Sequence, residues 1–138
     1  MSRRVYIDTN IMLDLLGERE PFYLPAARLF SLADQQKLIL VCSPLSFATV
    51  SYFLTKFENP AIAKDKLRRF KIIITVCRID EAIVDKSLNS DFTDFEDALH
   101  YFTAVDSKCE VIITRNAKDF KNSALPVMSA EEFLESLE

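Results

Sequence analysis

The sequence has very little of the residues on which many cofactor and metal sites depend. Gly17 is the only glycine among 138 residues, which excludes a glycine-rich loop that cradles phosphate with several backbone N–H groups. His100 is the only histidine, and the cysteines form no CxxC pair; they are Cys42, Cys77 and Cys109. Zinc sites need clustered cysteine and histidine ligands, so a zinc site is disfavoured. The odd number of cysteines in apolar runs favours reduced core thiols in a cytoplasmic protein.

Long hydrophobic runs and an excess of basic residues are also missing. No apolar stretch approaches the ~20 residues that span a bilayer, so we expect a soluble protein with no membrane partner. The formal net charge is −4, whereas proteins whose whole surface embraces nucleic acid are usually strongly basic. The charge leaves open an enzyme that touches only a short stretch of nucleic-acid backbone.

Apolar residues, by contrast, are abundant. They make up 49% of the chain and include eleven phenylalanines, which is ample for one core, so we predict one domain over residues 1–138. Four short apolar runs predict strands; they cover residues 5–7, 38–42, 71–76 and 110–114. Continuous apolar strands separated by helices are typical of a parallel sheet covered on both faces. The predicted fold is therefore an α/β/α sandwich of three layers, with a central parallel sheet of four to five strands.

Helical periodicity and capping residues place the helices between these strands. The predicted segments are residues 10–16, 25–35, 43–56, 61–70, 81–88, 94–106 and 130–137. Gly17 is a candidate C-cap for the first of them. Ser43 followed by proline opens the third, and Ser129 with Glu132 forms a predicted capping box on the last. The alternation of strands and helices predicts where the polar residues gather.

Polar residues follow the carboxyl ends of the predicted strands. These ends meet at one edge of a parallel sheet, which is where α/β proteins bind ligands and metals. The residues expected at this rim are Asp8, Ser43, Ser46, Thr49, Asp94, Glu96, Asp97, Thr114, Arg115, Asn116 and Asp119. Carboxylates forced together repel, and Mg²⁺ or Mn²⁺ suits such oxygen ligands because one or two direct carboxylates suffice. The alternative is a set of ordinary helix N-termini, where the helix dipole favours acids.

Three motifs in order resemble the PIN domain, in particular the toxin-like bacterial branch related to VapC ribonucleases. They are YIDTN followed by IMLD, then DFEDALHY, then TRNAKDF, and the resemblance runs from residue 5 to the PVMSAEEFL tail. It implies a metal-dependent single-strand ribonuclease whose acidic residues lie at the rim of a five-stranded parallel sheet. It also implies Mg²⁺ or Mn²⁺ as the cofactor, a homodimer, and an antitoxin protein that silences the enzyme.

The resemblance assigns roles position by position. Asp8 and Asp97 match metal ligands, whereas the second acid falls at Thr49 and the fourth at Asn116, so two of the usual four carboxylates are replaced. Asp119 could contribute directly or through water. The residues implied to support the site are Thr9, Asn10, Ser43, Thr49, Asp94, Glu96, Thr114 and Arg115.

Several of these residues keep two interpretations. Glu96 and Asp97 differ by about 100° in direction on a helix, so periodicity cannot choose between them; the resemblance chooses Asp97. For Asp94 the interpretation as an N-cap is preferred to one as a site residue, and for Arg115 a structural ion pair is slightly preferred to a phosphate contact. For two further residues we expect no direct role in the site. Asp14 is expected on a helix surface or behind the site, and His100 on a polar helix side without a role.

A basic run offers a possible nucleic-acid contact. Lys64, Arg68 and Lys71 share one helical face, which is either a solvated surface or a salt-sensitive contact to RNA backbone. Two rival functions remain: a PIN-fold module that binds RNA or protein without cutting, and an aspartyl-phosphate enzyme on Asp8. The phosphatase signature requires Asp-x-Asp, and its second position is Asn10 here.

Overall fold

A computed structural model describes residues 3–138; residues 1 and 2, which the single-domain prediction includes, lie outside the described part. Five parallel strands form one sheet in the order β3-β2-β1-β4-β5. The strands are β1 (Arg3–Ile7), β2 (Leu38–Cys42), β3 (Thr75–Val76), β4 (Val111–Ile113) and β5 (Val127–Met128). Within residues 3–138 the α-helices are α1 (Thr9–Leu16), α2 (Tyr23–Asp34), α3 (Pro44–Phe57), α4 (Pro60–Ile73), α5 (Glu81–Leu88), α6 (Phe95–Asp106) and α7 (Ala130–Ser136). The predicted α/β class and parallel sheet are confirmed.

Strand β1 lies at the centre of the sheet and pairs with β2 on one side and β4 on the other. Its side chains alternate, because Val5 and Ile7 pack into the core of one face and Tyr6 into the core of the other. A strand buried on both faces needs apolar residues in succession, which explains the uninterrupted run before Asp8. Since β1 and β4 are neighbours, the residues that follow them meet at one rim.

Helices cover both faces of the sheet. The larger core receives residues from α1, α2, α3, α4 and α7. The smaller core receives Tyr101 and Ala104 of α6, and Phe120 from a short 3₁₀ helix over Ala117–Phe120. Helix α5 packs against α6. In the described part of the chain, no helix is long and apolar enough to cross a membrane.

The predicted capping signals are present in the structure. Ser43 precedes α3 and accepts a hydrogen bond from Leu45 N. Ser129 and Glu132 form both hydrogen bonds of a capping box at the start of α7. Such caps satisfy the unpaired N–H groups of a first helical turn.

The third strand was predicted at residues 71–76, and its first half is wrong. Helix α4 continues through Ile73, and β3 contains only Thr75 and Val76. Phe70 in the last turn of α4 and Ile74, its C-cap, are both buried, so the end of the helix packs on the core. Periodicity cannot distinguish a short apolar run of this kind from a buried helix end.

Gly17 caps α1 as predicted, although its φ of −89° is not left-handed. The left-handed residue is the next one, Glu18, with φ 48°. Gly17 is required by proximity, because a Cβ there would lie 2.8 Å from the Leu13 carbonyl oxygen.

All three cysteines are free. Burial raises the pKa of the Cys42 and Cys109 thiols to about 12. A thiol reacts as its thiolate, so these two groups behave as unreactive core residues.

Candidate functional site

Asp8 lies at the junction of β1 and α1. Its backbone N–H donates to Ile113 O at 2.9 Å, which extends the β1–β4 pairing by one residue. Its side chain then caps α1, accepting a hydrogen bond from Thr9 N at 2.7 Å. Asp8 is only 8% exposed, so its carboxylate is held at the rim by the turn from strand to helix.

The second carboxylate oxygen of Asp8 is held by side chains from both neighbouring segments. The Thr114 hydroxyl donates to Oδ2 at 2.8 Å, and the Asn10 amide lies 3.4 Å from the same oxygen. Asn10 also donates to Thr114 Oγ1 and accepts from Arg115 N at 3.3 Å. The carboxylate is therefore fixed in orientation by residues that follow β1 and β4.

Helix α6 brings a second group of acids to this rim. Asp94 is the N-cap and accepts from Asp97 N at 3.0 Å. The pKa of Asp97 is raised from its ordinary 3.8 to about 6, chiefly by burial and then by Asp94, Asp119 and Asp8. Acids from three separate segments of the chain therefore contribute to the electrostatic environment of Asp97.

The prediction that His100 lies on a polar side of its helix is wrong, because the residue is buried. It is only 1% exposed, and its Nδ1 lies 2.6 Å from the Tyr6 hydroxyl. Its Nε2 lies 3.4 Å from Thr9 Oγ1 and 3.8 Å from Asp8 Oδ1. The signal for this position was available, since His100 follows Asp97 by three residues and shares its side of the helix.

Glu96 approaches the same ring from the solvent side. Its side chain is 58% exposed, and Oε1 lies 3.8 Å from His100 Nε2. Interaction with His100 lowers the pKa of Glu96. Glu96 is thus ionised at neutral pH and lies at the solvent-exposed edge of the site.

Asp14 and Arg115 form a buried ion pair. The Asp14 side chain is 1% exposed, which contradicts the surface interpretation, and Arg115 contacts both of its oxygens at 2.8 Å and 3.1 Å. The Arg115 guanidinium also lies 4.0 Å above the Phe22 ring. Of the two interpretations of Arg115, the structural ion pair is the one the fold adopts, and its donors face Asp14.

The positions expected to carry the other two acids add no charge. Thr49 is half-buried in α3, and Asn116 is exposed before the 3₁₀ helix, where its N–H donates to Thr114 Oγ1 at 3.0 Å. Asp119 is exposed in that short helix. Across residues 3–138, no three acidic, histidine or cysteine groups form a ready set of metal ligands. Asp8 and Asp97 are the partly or fully buried carboxylates of the rim.

Two serines join α3 to the site. Ser43 is fully buried as the N-cap of α3. Ser46 is equally buried, and its hydroxyl lies 2.8 Å from the Thr9 hydroxyl. This contact ties the first turn of α3 to the first turn of α1.

The basic face of α4 lines a shallow groove of about 410 Å³. Its lining residues are Phe47, Lys64, Leu67, Arg68 and Lys71. Phe47 lies near the start of α3, which follows β2. The groove therefore reaches the first turn of α3.

Comparison with solved structures gives the same fold in several toxin proteins. The Rickettsia felis VapBC2 complex bound to promoter DNA matches with a TM-score of 0.68 and 16% identity, over 91% of this chain and 97% of that one. A toxin–antitoxin complex from Klebsiella pneumoniae matches with a TM-score of 0.68 and 23% identity, over the same shares. The Mycobacterium tuberculosis toxin VapC20, which cleaves the sarcin–ricin loop, matches with a TM-score of 0.61 and 13% identity. The match covers 78% of this chain and 86% of that one.

Family comparison adds evidence at the level of sequence. No protein of curated function matches the chain. The model of the PIN domain matches residues 4–118, a range that contains the Asp8 turn, the start of α6 and the segment after β4. Because this match covers well over half of the sequence, the chain belongs to the PIN domain family.

Proposed function

We propose that this protein is a metal-dependent single-strand endoribonuclease and the toxin component of a toxin–antitoxin pair. The observation that carries the proposal is the geometry of Asp8, whose buried carboxylate is fixed at the sheet rim by Thr9 N at 2.7 Å and by the Thr114 hydroxyl at 2.8 Å. The raised pKa of Asp97, to which burial, Asp94, Asp119 and Asp8 contribute, supports it. A fold that gathers repelling carboxylates at a sheet rim loses free energy unless a cation is bound there. PIN-family membership and the toxin structures of the same fold support a nuclease as the purpose of that cation.

The oxygen donors fit Mg²⁺ or Mn²⁺. These ions need only one or two direct carboxylates and keep several waters, and Asp8 and Asp97 would supply them. Asn116 would offer a neutral oxygen, and Asp119 would act directly or through water. When bound, the ion lowers the pKa of a coordinated water and neutralises charge on a phosphodiester.

The surrounding residues have separate tasks in this proposal. Thr114 and Asn10 fix Asp8 Oδ2, while Thr9 N fixes Oδ1. A carboxylate held from both sides loses little freedom when it coordinates a metal, as a preorganised site requires. Arg115 helps to hold this arrangement by an ion pair with Asp14. Its guanidinium donates to both carboxylate oxygens of Asp14.

The groove on α4 suits a single-stranded RNA substrate. Lys64, Arg68 and Lys71 form no ion pair within the described residues, so their charges are available to phosphates. Phe47 and Leu67 lie among them, and apolar or aromatic surfaces beside cations are typical of single-strand binding. The chain would guide RNA along α4 toward the rim.

An antitoxin protein is the proposed partner, and the toxin itself is proposed to be a homodimer. The antitoxin is supported by solved toxin–antitoxin complexes whose fold this chain shares. The homodimer is an inference from the family resemblance. Exposed aromatic residues such as Tyr52 and Phe57, which are 63% and 76% exposed, provide apolar surface for it. Light scattering of the purified chain with and without its antitoxin measures both assemblies.

An RNA cleavage assay tests the proposed activity. Single-stranded RNA is incubated with the purified protein in EDTA, Mg²⁺ or Mn²⁺, together with the variants Asp8→Asn and Asp97→Asn. Asp85→Asn, an exposed acid of α5, is the matched control. Metal-stimulated cleavage that both rim variants abolish and the control retains is expected. Wild-type rates in either rim variant would overturn the proposal.

A binding module without catalysis is the second candidate. It is favoured by Thr49 and Asn116, which leave residues 3–138 without a ready three-ligand metal set. Calorimetric titration with Mn²⁺ discriminates the two functions. RNA binding without millimolar Mn²⁺ affinity would favour the module, whereas Mn²⁺ binding lost in Asp8→Asn would favour the nuclease.

A further inference from the structure

His100 is the buried titratable group that the proposed chemistry leaves unused. A buried polar side chain lowers stability unless its hydrogen-bonding atoms find partners. At 1% exposure, His100 has partners at both ring nitrogens, the Tyr6 hydroxyl at 2.6 Å and the Thr9 hydroxyl at 3.4 Å. Its ring also packs edge-on against the Tyr6 ring, at 5.8 Å between centroids and 65° between planes.

The direction of these hydrogen bonds follows from their donors and acceptors. A tyrosine hydroxyl is protonated at neutral pH and can donate, and the buried Tyr6 hydroxyl lies 2.6 Å from His100 Nδ1. When that hydroxyl donates to Nδ1, the proton of the neutral imidazole resides on Nε2. Nε2–H then faces Thr9 Oγ1 at 3.4 Å, with the carboxylate oxygens Asp8 Oδ1 and Glu96 Oε1 each 3.8 Å from the same nitrogen. The Thr9 hydroxyl is free to donate to Ser46 Oγ at 2.8 Å. The tautomer is assigned from these partners.

This chain of hydrogen bonds connects four elements of the fold. Tyr6 belongs to β1, His100 to α6, Thr9 to α1 and Ser46 to α3. Thr9 is also the residue whose N–H binds Asp8 Oδ1 at 2.7 Å. The imidazole therefore links α6, which carries Asp97, to the turn that carries Asp8.

We infer that His100 is a positioning residue of the rim, which accepts from Tyr6 at Nδ1, donates from Nε2 toward Thr9, and so fixes the Asp8 turn against α6. Its effect on cleavage rests on the proposed nuclease function, whereas the tautomer does not. Position 49 of α3 supplies no carboxylate here, and a hydrogen bond between Ser46 and Thr9 joins α3 to the Asp8 turn.

Nitrogen NMR of the imidazole tests the assignment without any enzymatic assay. In the metal-free protein at neutral pH, Nδ1 is expected to give the shift of an unprotonated ring nitrogen and Nε2 that of a protonated one. Tyr6→Phe removes only the hydroxyl and is expected to shift the ring toward a mixture of tautomers. A wild-type ring protonated at Nδ1, or one unchanged in Tyr6→Phe, would overturn the inference.

Kinetics of substituted proteins test the positioning role. His100→Leu removes both ring nitrogens and leaves the buried Tyr6 hydroxyl without its partner at Nδ1. Its kcat is expected to fall about tenfold, as the loss of one buried hydrogen-bond partner predicts. KM is expected to stay near the wild-type value, since the RNA groove is untouched. His100→Gln keeps an N–H donor near the Nε2 position and is expected to recover most of the loss.

A control on the same helix separates positioning from general damage to α6. Thr103 is fully buried, and its hydroxyl has no hydrogen-bond partner within the described residues, so Thr103→Val is expected to leave kcat unchanged. Equal losses in His100→Leu, His100→Gln and Thr103→Val would overturn the role. If His100→Leu does not fold, Tyr6→Phe gives the same comparison with the ring in place. Cleavage that survives Asp8→Asn would reject the nuclease while leaving the NMR result intact.

Discussion

Arg115 binds both carboxylate oxygens of Asp14, at 2.8 Å and 3.1 Å, and thereby ties the segment after β4 to the first helix. The two residues are 101 positions apart in the sequence. Asp14 is almost inaccessible to solvent, whereas a quarter of the Arg115 side chain is exposed. The pair fixes the backbone on which Thr114 and Asn10 hold Asp8.

Removal of Arg115 should destabilise the protein strongly. Arg115→Ala removes both hydrogen bonds to the buried Asp14 carboxylate and leaves Arg19 Nε, 3.9 Å from Oδ1, and the loss of a buried partner amounts to about 3 kcal/mol. Arg115→Lys should recover only part of this, because an ammonium cannot contact both oxygens in the same plane. Urea unfolding measures the free energies.

The control for that measurement is an exposed ion pair on α4. Arg69 and Asp65 lie 3.0 Å apart with 79% and 55% of their side chains exposed. Arg69→Ala should change the free energy of unfolding by less than about 1 kcal/mol, as exposed pairs do. A loss as large as that of Arg115→Ala would contradict the distinction between the two pairs.

The stability of the metal-free protein should depend on Asp97 between pH 4 and 6. The folded pKa of Asp97 is about 6, above its ordinary 3.8, so the folded state binds more protons in this range. The contribution of Asp97 to the free energy of unfolding is therefore greatest below pH 3.8 and is lost as the pH rises through about 6. Asp97→Asn should gain stability relative to wild type from pH 4 to pH 7, as measured by urea unfolding in EDTA. A difference that stays constant with pH would contradict the shifted pKa.

RNA binding should weaken, and become less sensitive to salt, when the α4 groove loses its charges. The triple variant Lys64→Ala, Arg68→Ala, Lys71→Ala removes three candidate phosphate contacts. The slope of log K against log salt should fall by roughly 2 in magnitude, because each contact to a single strand contributes about 0.7. Fluorescence anisotropy on a non-cleaving Asp8→Asn background measures the slope. Arg69→Ala in the same background serves as the control and should leave it unchanged.

A side chain at Gly17 should destabilise the protein even though the φ of this residue is ordinary. Gly17→Ala places a Cβ 2.8 Å from the Leu13 carbonyl oxygen, and the shift needed to relieve that contact should lower the free energy of unfolding by about 1 kcal/mol. Glu18→Gly, at the adjacent left-handed position with φ 48°, should cost nothing or stabilise. Thermal melts of both variants check the pair, and a more stable Gly17→Ala would contradict the contact.

Local patterns were enough to predict the fold class and most elements. The apolar runs before Asp8 and at 38–42 are strands because residues buried on both faces must be apolar in succession. The caps at Ser43 and Ser129 were readable because a cap acts within one helical turn. The strand predicted at 71–76 was wrong in its first half, because Ile72 and Ile73 are compatible with a helix end as well as with a strand.

The sequence by itself determined that Asp8 follows a buried strand and that acids open α6, since both depend on neighbours in the chain. Only the tertiary structure determined which side chains these residues contact. The order of β1, β2 and β4 brings Thr114 to Asp8 and buries Asp14 against Arg115. It also turns His100 toward Tyr6 and Thr9, partners 94 and 91 positions away. Such contacts depend on which elements become neighbours, and that is settled by how the whole chain buries its apolar surface.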